Sequence, residues 1–289
     1  MELTIFTPTY NRCDLLKRTY GSLIRQKCKD FSWLIVDDGS YDGTKEVVSK
    51  WISEKIIDIK YVYQKNQGKH IAFNTAVSLI ESGLFFTVDS DDWLPENSVQ
   101  LIKSNEKNLA NSTVAGMIAL KAFSNCKLIS GKFPNEIRYS TLMDLFYQGF
   151  SGERSIIYKV EILKKFPFPK TNEKFVPEGC VYDLIDNCYS LFVINDVLTI
   201  CEYQEDGLSS NPYKLMYNNP TGYKIYYSNR INFARSFKER ISYCIRYNCF
   251  ASLSKDTVNN YHGKWSILVS VSYLGGLFAA VYYRFKSSK

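Results

Sequence analysis

The sequence predicts an α/β fold, a largely parallel sheet with helices on its faces. Short apolar and β-branched runs alternate, four times in succession, with stretches whose apolar residues recur at helical spacing. The fourth run, Leu84-Phe85-Phe86-Thr87-Val88, is apolar or β-branched throughout, as a strand buried on both faces requires. Each run stops in a polar segment, and in open α/β sheets ligands sit beyond the carboxyl ends of the strands.

Leu3–Phe6 is the first strand, ended by Thr7-Pro8-Thr9-Tyr10-Asn11-Arg12. Leu15, Leu16, Thr19, Tyr20, Leu23 and Ile24 then mark a helix, with Asn11 or Asp14 as its cap. Ser32–Val36 is the second strand and runs into Asp37-Asp38-Gly39-Ser40. A helix over about Asp42–Ile52 follows, with Val47, Val48, Trp51 and Ile52 on one face. Ile56–Tyr63 is the third strand, ended by Gln64-Lys65-Asn66-Gln67-Gly68-Lys69-His70; the next helix carries Ile71, Ala72, Ala76, Leu79 and Ile80, and Gly83 closes it. The fourth strand ends abruptly in Asp89-Ser90-Asp91-Asp92.

Beyond residue 100 the pattern loosens. Val114–Lys121, Ser155–Tyr158, Leu191–Ile194 and Val197–Glu202 read as strands, and Thr141–Tyr147, Val160–Lys165 and Val181–Ser190 as helices. Residues 214–255 are mostly helical and rich in Tyr and Arg. Trp265–Tyr283 carries no formal charge and lies between Lys264 and the bases Arg284, Lys286 and Lys289. That pattern fits a helix lying in a membrane interface, a helix packed on the protein, or a short span.

Apolar content of 45% and charged content of 22% are those of a folded globular protein. The net charge of +7 favours an anionic partner: a membrane surface, a phosphorylated lipid or a nucleotide. No zinc finger, RNA-binding motif or basic helical stripe supports nucleic acid. The 8 Cys form no C-x-x-C pair and several sit in apolar runs, which predicts reduced, buried thiols in a cytosolic protein. The chain opens directly on a strand, without a charged and apolar leader, so its folded part should face the cytosol.

The four polar strand ends bring carboxylates, cations and an aromatic ring to one sheet edge. Three carboxylates at one strand end need a cation, and hard oxygen donors on a rigid terminus suit Mg²⁺ or Mn²⁺. The alternative is a solvated acidic turn, with Asp92 or Asn97 capping the following helix. No G-x-G-x-x-G follows the first strand and no P-loop occurs, so phosphate charge falls to a metal, to Lys69 and His70, and to the helix start after Gly68.

Phe6–Arg12, Trp33–Ser40, Asn66–His70 and Val88–Asp92, in that order and spacing, resemble the inverting family 2 glycosyltransferases of GT-A fold, particularly bacterial enzymes of capsular and exopolysaccharide assembly. The match is specific over about residues 3–100 and weaker through Ser151–Glu153, Phe175–Gly179 and Cys201–Ser209. It implies a mixed sheet flanked by helices over residues 1–210, with a nucleotide-binding half (about 1–100) and an acceptor half (about 101–210). A helical, membrane-associating region at 211–289 would follow, with its key helix at about 265–283.

The resemblance further implies a nucleotide pocket lined by Thr7, Pro8, Tyr10, Arg12, Asp38, Lys69, His70, Asp89 and Ser90. Tyr10 would stack on uracil; Asp38 would accept the uracil N3–H, or else hold an Asx-turn, a role that suits Asp37 better. The D-x-D motif maps onto Asp89-Ser90-Asp91. Asp91 would ligate Mn²⁺ or Mg²⁺, Asp89 would reach the metal, its water or the ribose, and Asp92 would complete the shell or cap a helix. The base that deprotonates the acceptor falls on Glu178, in Pro177-Glu178-Gly179 where the family carries an E-D pair, with Asp183 as runner-up. Glu153 is a candidate acceptor contact or a surface ion pair, and Glu205 or Asp206 a mobile-loop contact or part of a solvated turn.

The implied activity is inverting transfer of a sugar from a UDP-sugar to a lipid-linked saccharide, by a protein on the cytoplasmic side that associates peripherally with the membrane. A homodimer is compatible with it. A sugar-phosphate nucleotidyltransferase would want a Gly-rich activation loop that Thr7–Arg12 lacks. A non-catalytic nucleotide-sugar-binding subunit would not need Asp89, Asp91 and Glu178 intact.

Overall fold

The computed structural model describes residues 1–202, 211–254 and 261–287. The chain forms two units, Met1–Pro167 with Cys188–Tyr203, and Phe168–Asn187 with Gln204–Lys289.

The first unit opens with β1 (Leu3–Thr9), α1 (Cys13–Ile24), β2 (Ser32–Asp37), α2 (Thr44–Glu54), β3 (Asp58–Tyr63), α3 (Lys69–Ser78) and β4 (Leu84–Thr87), the alternation that the periodicity predicts. It continues with α4 (Ser98–Asn105), β5 (Val114–Phe123), β6 (Tyr139–Ser140), α5 (Leu142–Tyr147), β7 (Arg154–Lys159), α6 (Val160–Leu163) and β8 (Ser190–Cys201). One sheet holds all of these strands in the order β3-β2-β1-β4-β7-β5-β8-β6. The first four are mutually parallel, and β7 runs antiparallel to β4 and β5, so the sheet is mixed. This is the α/β architecture that the motifs imply.

The order places the site. The chain steps outward from β1 through β2 to β3, then returns to β4 on the other side of β1, and such a reversal opens a crevice at the carboxyl ends. Here β4 stops at Thr87, opposite Phe6, whereas β1 continues to Thr9, opposite Asp37 of β2. The acidic turn after β4 therefore starts beside the last residues of β1.

Over the central strands both sheet faces carry apolar packing. On one, Ile5, Trp33, Ile35, Leu84 and Phe86 join a core in which Tyr20 stacks on Trp51, with ring centroids 4.2 Å apart. On the other, Phe6 stacks on Phe85 at 5.2 Å and meets Phe73 of α3 edge-on. Burying each such side chain contributes about 1.5–3 kcal/mol, which fixes the register that aligns the four loops.

Three local expectations change. Leu191–Ile194 and Val197–Glu202 are one strand, β8, because a bulge between the Ile118↔Val193 and Leu120↔Val197 pairs absorbs Asn195 and Asp196. Asn195 then brackets Phe133, accepting its N–H at 2.9 Å and donating to its carbonyl at 2.8 Å. Neither Asn11 nor Asp14 caps α1. Arg12 takes that position without a side-chain bond, and Asn11 sits at φ +50°, where Asn is tolerated, tying its loop to the next one. Asn97 precedes α4 but makes no capping bond.

The second unit contains α7 (Gly179–Asp186), α8 (Pro212–Asn218), α9 (Pro220–Phe233), α10 (Phe237–Leu253), α11 (Ser266–Val271) and α12 (Tyr273–Ser287). Residues 168–187, expected with the sheet, group with these helices. Glu173 accepts from the Thr221 and Gly222 N–H groups at 2.7 and 2.8 Å, where the start of α9 favours negative charge. Tyr223, Tyr227, Tyr247, Cys244 and Phe250 form the core, with Tyr227 and Phe250 nearly coplanar at 4°. All eight cysteines are free; five are buried, and burial pushes the Cys180 and Cys249 thiols up to about 12. Among the described residues no helix is long and apolar enough to cross a membrane.

Candidate functional site

The loops after β1, β2, β3 and β4 are bound to one another, which makes their edge a single rigid surface. Asn11 N–H donates to Ser40 Oγ at 2.8 Å and Asn11 Oδ1 accepts from Tyr41 N–H at 2.9 Å, joining the first loop to the second. Asp42 accepts from the Cys13 N–H at 2.9 Å. Gly39, at φ +95°, lets the second loop reach the third, since a Cβ there would lie 3.0 Å from the Asn66 nitrogen.

The two aspartates of the second loop divide their work. Asp37 is buried and accepts from Ser40 N–H at 2.7 Å and Tyr61 hydroxyl at 2.6 Å, so it holds the loop three residues on, in place of an Asx-turn, and clamps β2 to β3. Asp38 is also buried and accepts from Gln64 Nε2, Gln67 N–H and Gly68 N–H at 2.7, 2.8 and 2.7 Å. Three bonds leave a carboxylate with about four acceptor sites room for one more donor. Asp38 thus shapes the Gln64–Gly68 loop that starts α3.

The acidic turn after β4 is held by cations from three other elements. Arg12 reaches Asp91 Oδ2 at 2.9 Å across the β1–β4 switch point. Lys69, the first residue of α3, lies 2.8 Å from Asp89 Oδ1. Lys121 of β5 lies 2.9 Å from Asp92 Oδ2 and 3.6 Å from Glu153. Arg18 of α1 donates to the Asp91 carbonyl at 2.6 Å and packs its guanidinium 4.0 Å over Trp93, and Thr19 donates to the Asp92 carbonyl at 2.8 Å.

This charge arrangement separates the carboxylates. Burial works against the Asp89 anion, but Lys69, Lys121 and Arg12 outweigh it and hold its pKa below the usual range. Burial pushes Asp92 up to about 7; Lys121 opposes the rise and Asp89 adds to it. Burial also works against charge on Lys121, yet Asp92, Asp89 and Glu153 hold its pKa above the ordinary value.

A hard divalent cation fits this corner. Asp89 and Asp91 keep 34% and 20% of their side chains exposed, whereas Asp92 is enclosed. Among the described residues no group of three or more His, Cys, Asp or Glu side chains converges. Two carboxylates are what Mg²⁺ or Mn²⁺ needs when substrate phosphate and water complete its shell. Arg12 and Lys69 neutralise these two carboxylates in the structure.

The other sequence-derived residues fall into distinct places. Tyr10 is exposed and meets Tyr41 edge-on at 6.5 Å, while Pro8 is half-buried beside it. Thr7, expected to line the nucleotide pocket, is instead closed off in the core, its hydroxyl accepting from Trp33 Nε1 at 3.0 Å. His70 and Ser90 are buried, at the start of α3 and in the acidic turn. Lys121, Arg18, Gln64 and Gln67 were not anticipated, although a lone lysine in the apolar run Ala115–Phe123 was a visible signal that something anionic meets it.

In the second unit Glu178 is exposed at the start of α7. Asp183 is buried and gripped on both oxygens by Arg230, through Nε on Oδ2 and NH2 on Oδ1. Burial raises the Asp183 pKa against the pull of Arg230. Glu205 and Asp206 lie outside the described residues.

A model described as glycosyl transferase family 2 matches residues 4–117. A Campylobacter jejuni GalNAc(5)-diNAcBac-PP-undecaprenol beta-1,3-glucosyltransferase is 28% identical over 92% of this chain and 87% of its own length. Glycosyltransferase GlyA of Streptococcus pneumoniae is 32% identical over 35% of this chain. The chain spans only 14 to 58% of the length of the curated relatives it matches first. Residues 1–349 of S. aureus TarS superpose with a TM-score of 0.62 at 17% identity, covering 98% of this chain and 90% of that one. The same TarS fragment has been crystallised with UDP-GlcNAc. The chain therefore carries a glycosyl transferase family 2 segment over residues 4–117, and its mixed sheet with flanking helices has the GT-A architecture of these structural neighbours.

Proposed function

We propose that the protein is a divalent-metal-dependent, inverting glycosyltransferase that moves a sugar from a UDP-sugar to a lipid-linked saccharide in cell-surface polysaccharide synthesis. The observation that carries this reading is the acidic corner at the β1–β4 switch point, with Asp89 and Asp91 partly exposed and held by Lys69 and Arg12.

Tyr10 offers an exposed ring for uracil, and Asp38 one remaining acceptor site for its N3–H, a donor that adenine lacks. Arg12, Lys69 and the start of α3 at His70 meet the diphosphate. Asp91, with Asp89, holds Mn²⁺ or Mg²⁺, which when bound stabilises charge on the departing UDP. Ser90 positions the turn, and Pro8 forms its flank.

Glu178 is the acceptor base in this reading. Its exposure favours it over Asp183, whose carboxylate is committed to Arg230. A base must reach its proton directly or through one water. The C. jejuni relative's undecaprenol-linked substrate supports a lipid-linked acceptor, and with it peripheral association with the inner face of the cell membrane.

UDP release across a panel of UDP-sugars, with and without Mn²⁺ and with a lipid-linked acceptor, tests the proposal. Metal-dependent release is expected with one donor, and Asp91→Ala should abolish it in a folded protein. Absence of release with every donor, or near-normal turnover by Asp91→Ala, would overturn it.

A further inference from the structure

Helix α12 has two apolar faces, and among the described residues one of them packs against α10 while the other is largely exposed. Gly276, Ala280 and Tyr283, spaced along one side, pack inward. A Cβ on Gly276 would lie 2.3 Å from Asn248 Cβ of α10, Ala280 is buried, and Tyr283 meets the Phe250 ring at 5.3 Å. Gly275 faces Ile245 of α10 less tightly, a Cβ there lying 3.3 Å from its Cγ1. This face holds α12 on α10 as a rigid platform.

The other face is apolar and solvent-exposed over the whole length of α11 and α12. Ile267, Val271, Leu274, Phe278, Val281 and Phe285 follow one another at alternating steps of four and three, and each is between 59 and 81% exposed. Hydrogen bonds from Ser272 N–H to Leu268 O and from Gly276 N–H to Ser272 O carry the helical ladder through the boundary, so the six side chains form one stripe. A continuous stripe of this kind signals a binding surface.

Charge indicates what covers it. From Thr257 to the last residue the sequence contains no Asp or Glu, while Lys264 precedes the stripe and Arg284, Lys286 and Lys289 end it. A second copy laid parallel on this face would set Arg284 and Lys286 against their own duplicates. An anionic lipid surface neutralises them while taking up the apolar side chains, and the stripe is amphipathic without being long enough to span.

We infer that the outer face of α11 and α12 is a docking surface for an anionic lipid bilayer, with Ile267, Val271, Leu274, Phe278, Val281 and Phe285 inserted among the acyl chains and Arg284 and Lys286 on the lipid headgroups. This deepens the membrane-side part of the proposal above by naming the face. It is read without sugar transfer, so the two can fail separately.

The test is co-sedimentation of the full chain with vesicles of phosphatidylglycerol and phosphatidylcholine, against vesicles of phosphatidylcholine alone. Binding is expected to the first and to be at least tenfold weaker to the second. Leu274→Glu/Phe278→Glu should remove it while leaving the melting temperature unchanged, since both side chains point into solvent. Arg284→Gln and Lys286→Gln should each weaken it roughly fivefold, the worth of about 1 kcal/mol per basic residue near an anionic surface. Equal binding to both vesicle types, no effect of the Glu pair, or a dimer that this pair dissociates in the absence of lipid would each overturn the inference.

Discussion

Removing the Lys121 ammonium with Lys121→Met should destabilise the first unit in a pH-dependent way. The variant keeps the volume of the stem in β5 but leaves Asp92 buried with its partner gone. Breaking a buried pair from one side costs about 3–5 kcal/mol. The shape of the pH dependence is more specific than the size. Asp92 has a folded pKa of about 7, raised above its value in the unfolded chain, so the native state holds the extra proton and stability falls as pH rises toward 7. In the wild type the fall ends near pH 7, because above that value Asp92 is ionised in the folded and the unfolded chain alike, and Lys121 keeps the folded pKa from lying higher. Without Lys121 the folded pKa moves higher and the fall continues at about 1.4 kcal/mol per pH unit. The gap between the two proteins should therefore widen by about 1.4 kcal/mol between pH 6 and pH 8. Urea titrations at the two values read this directly. Lys121→Met/Asp92→Asn should recover most of the loss, since no buried charge remains. A single variant within 0.5 kcal/mol of wild type, roughly the range of an ordinary surface substitution, or a gap that does not change with pH, would refute the reasoning.

Other consequences can be measured alongside. Arg12→Ala and Lys69→Ala should each weaken UDP binding by roughly tenfold or more, the worth of one charged hydrogen bond, with melting unchanged because both pairs are partly exposed; calorimetric titration with UDP checks it. Glu178→Gln should lose sugar transfer at unchanged stability, whereas Arg230→Met should cost about 3–5 kcal/mol by leaving Asp183 buried alone, which chemical denaturation separates from turnover. Gly116→Ala should destabilise the sheet by about 3 kcal/mol, since its Cβ would fall 1.9 Å from the Ile157 carbonyl of β7; a Gly116→Ala protein as stable as wild type in denaturant would contradict the close β5–β7 approach.

What could be read from the chain alone follows the range of the interactions. β1 to β4 and their helices were legible because each is announced by its own periodicity and its own polar end. β8 was not, because Asn195 and Asp196 look like a break until β5 supplies the partner that turns them into a bulge. The same limit divides the site. Asp89-Ser90-Asp91-Asp92 was legible as a group that must meet cations, since three carboxylates at a buried strand end are too costly otherwise. Which cations meet them depends on the strand order: β1 beside β4 brings Arg12 to Asp91, and the insertion of β7 between β4 and β5 leaves Lys121 within 2.9 Å of Asp92. Asp38 shows the converse. Its residue type fits both a uracil contact and a turn, and only the fold reveals that three loop donors already occupy it. Yet the cost that demands a cation for Asp92 equally demands an anion for Lys121, the single charge in a strand of ten residues. Each half of this pair therefore signalled in its own segment that a partner exists, and the sheet order is what joins the two signals.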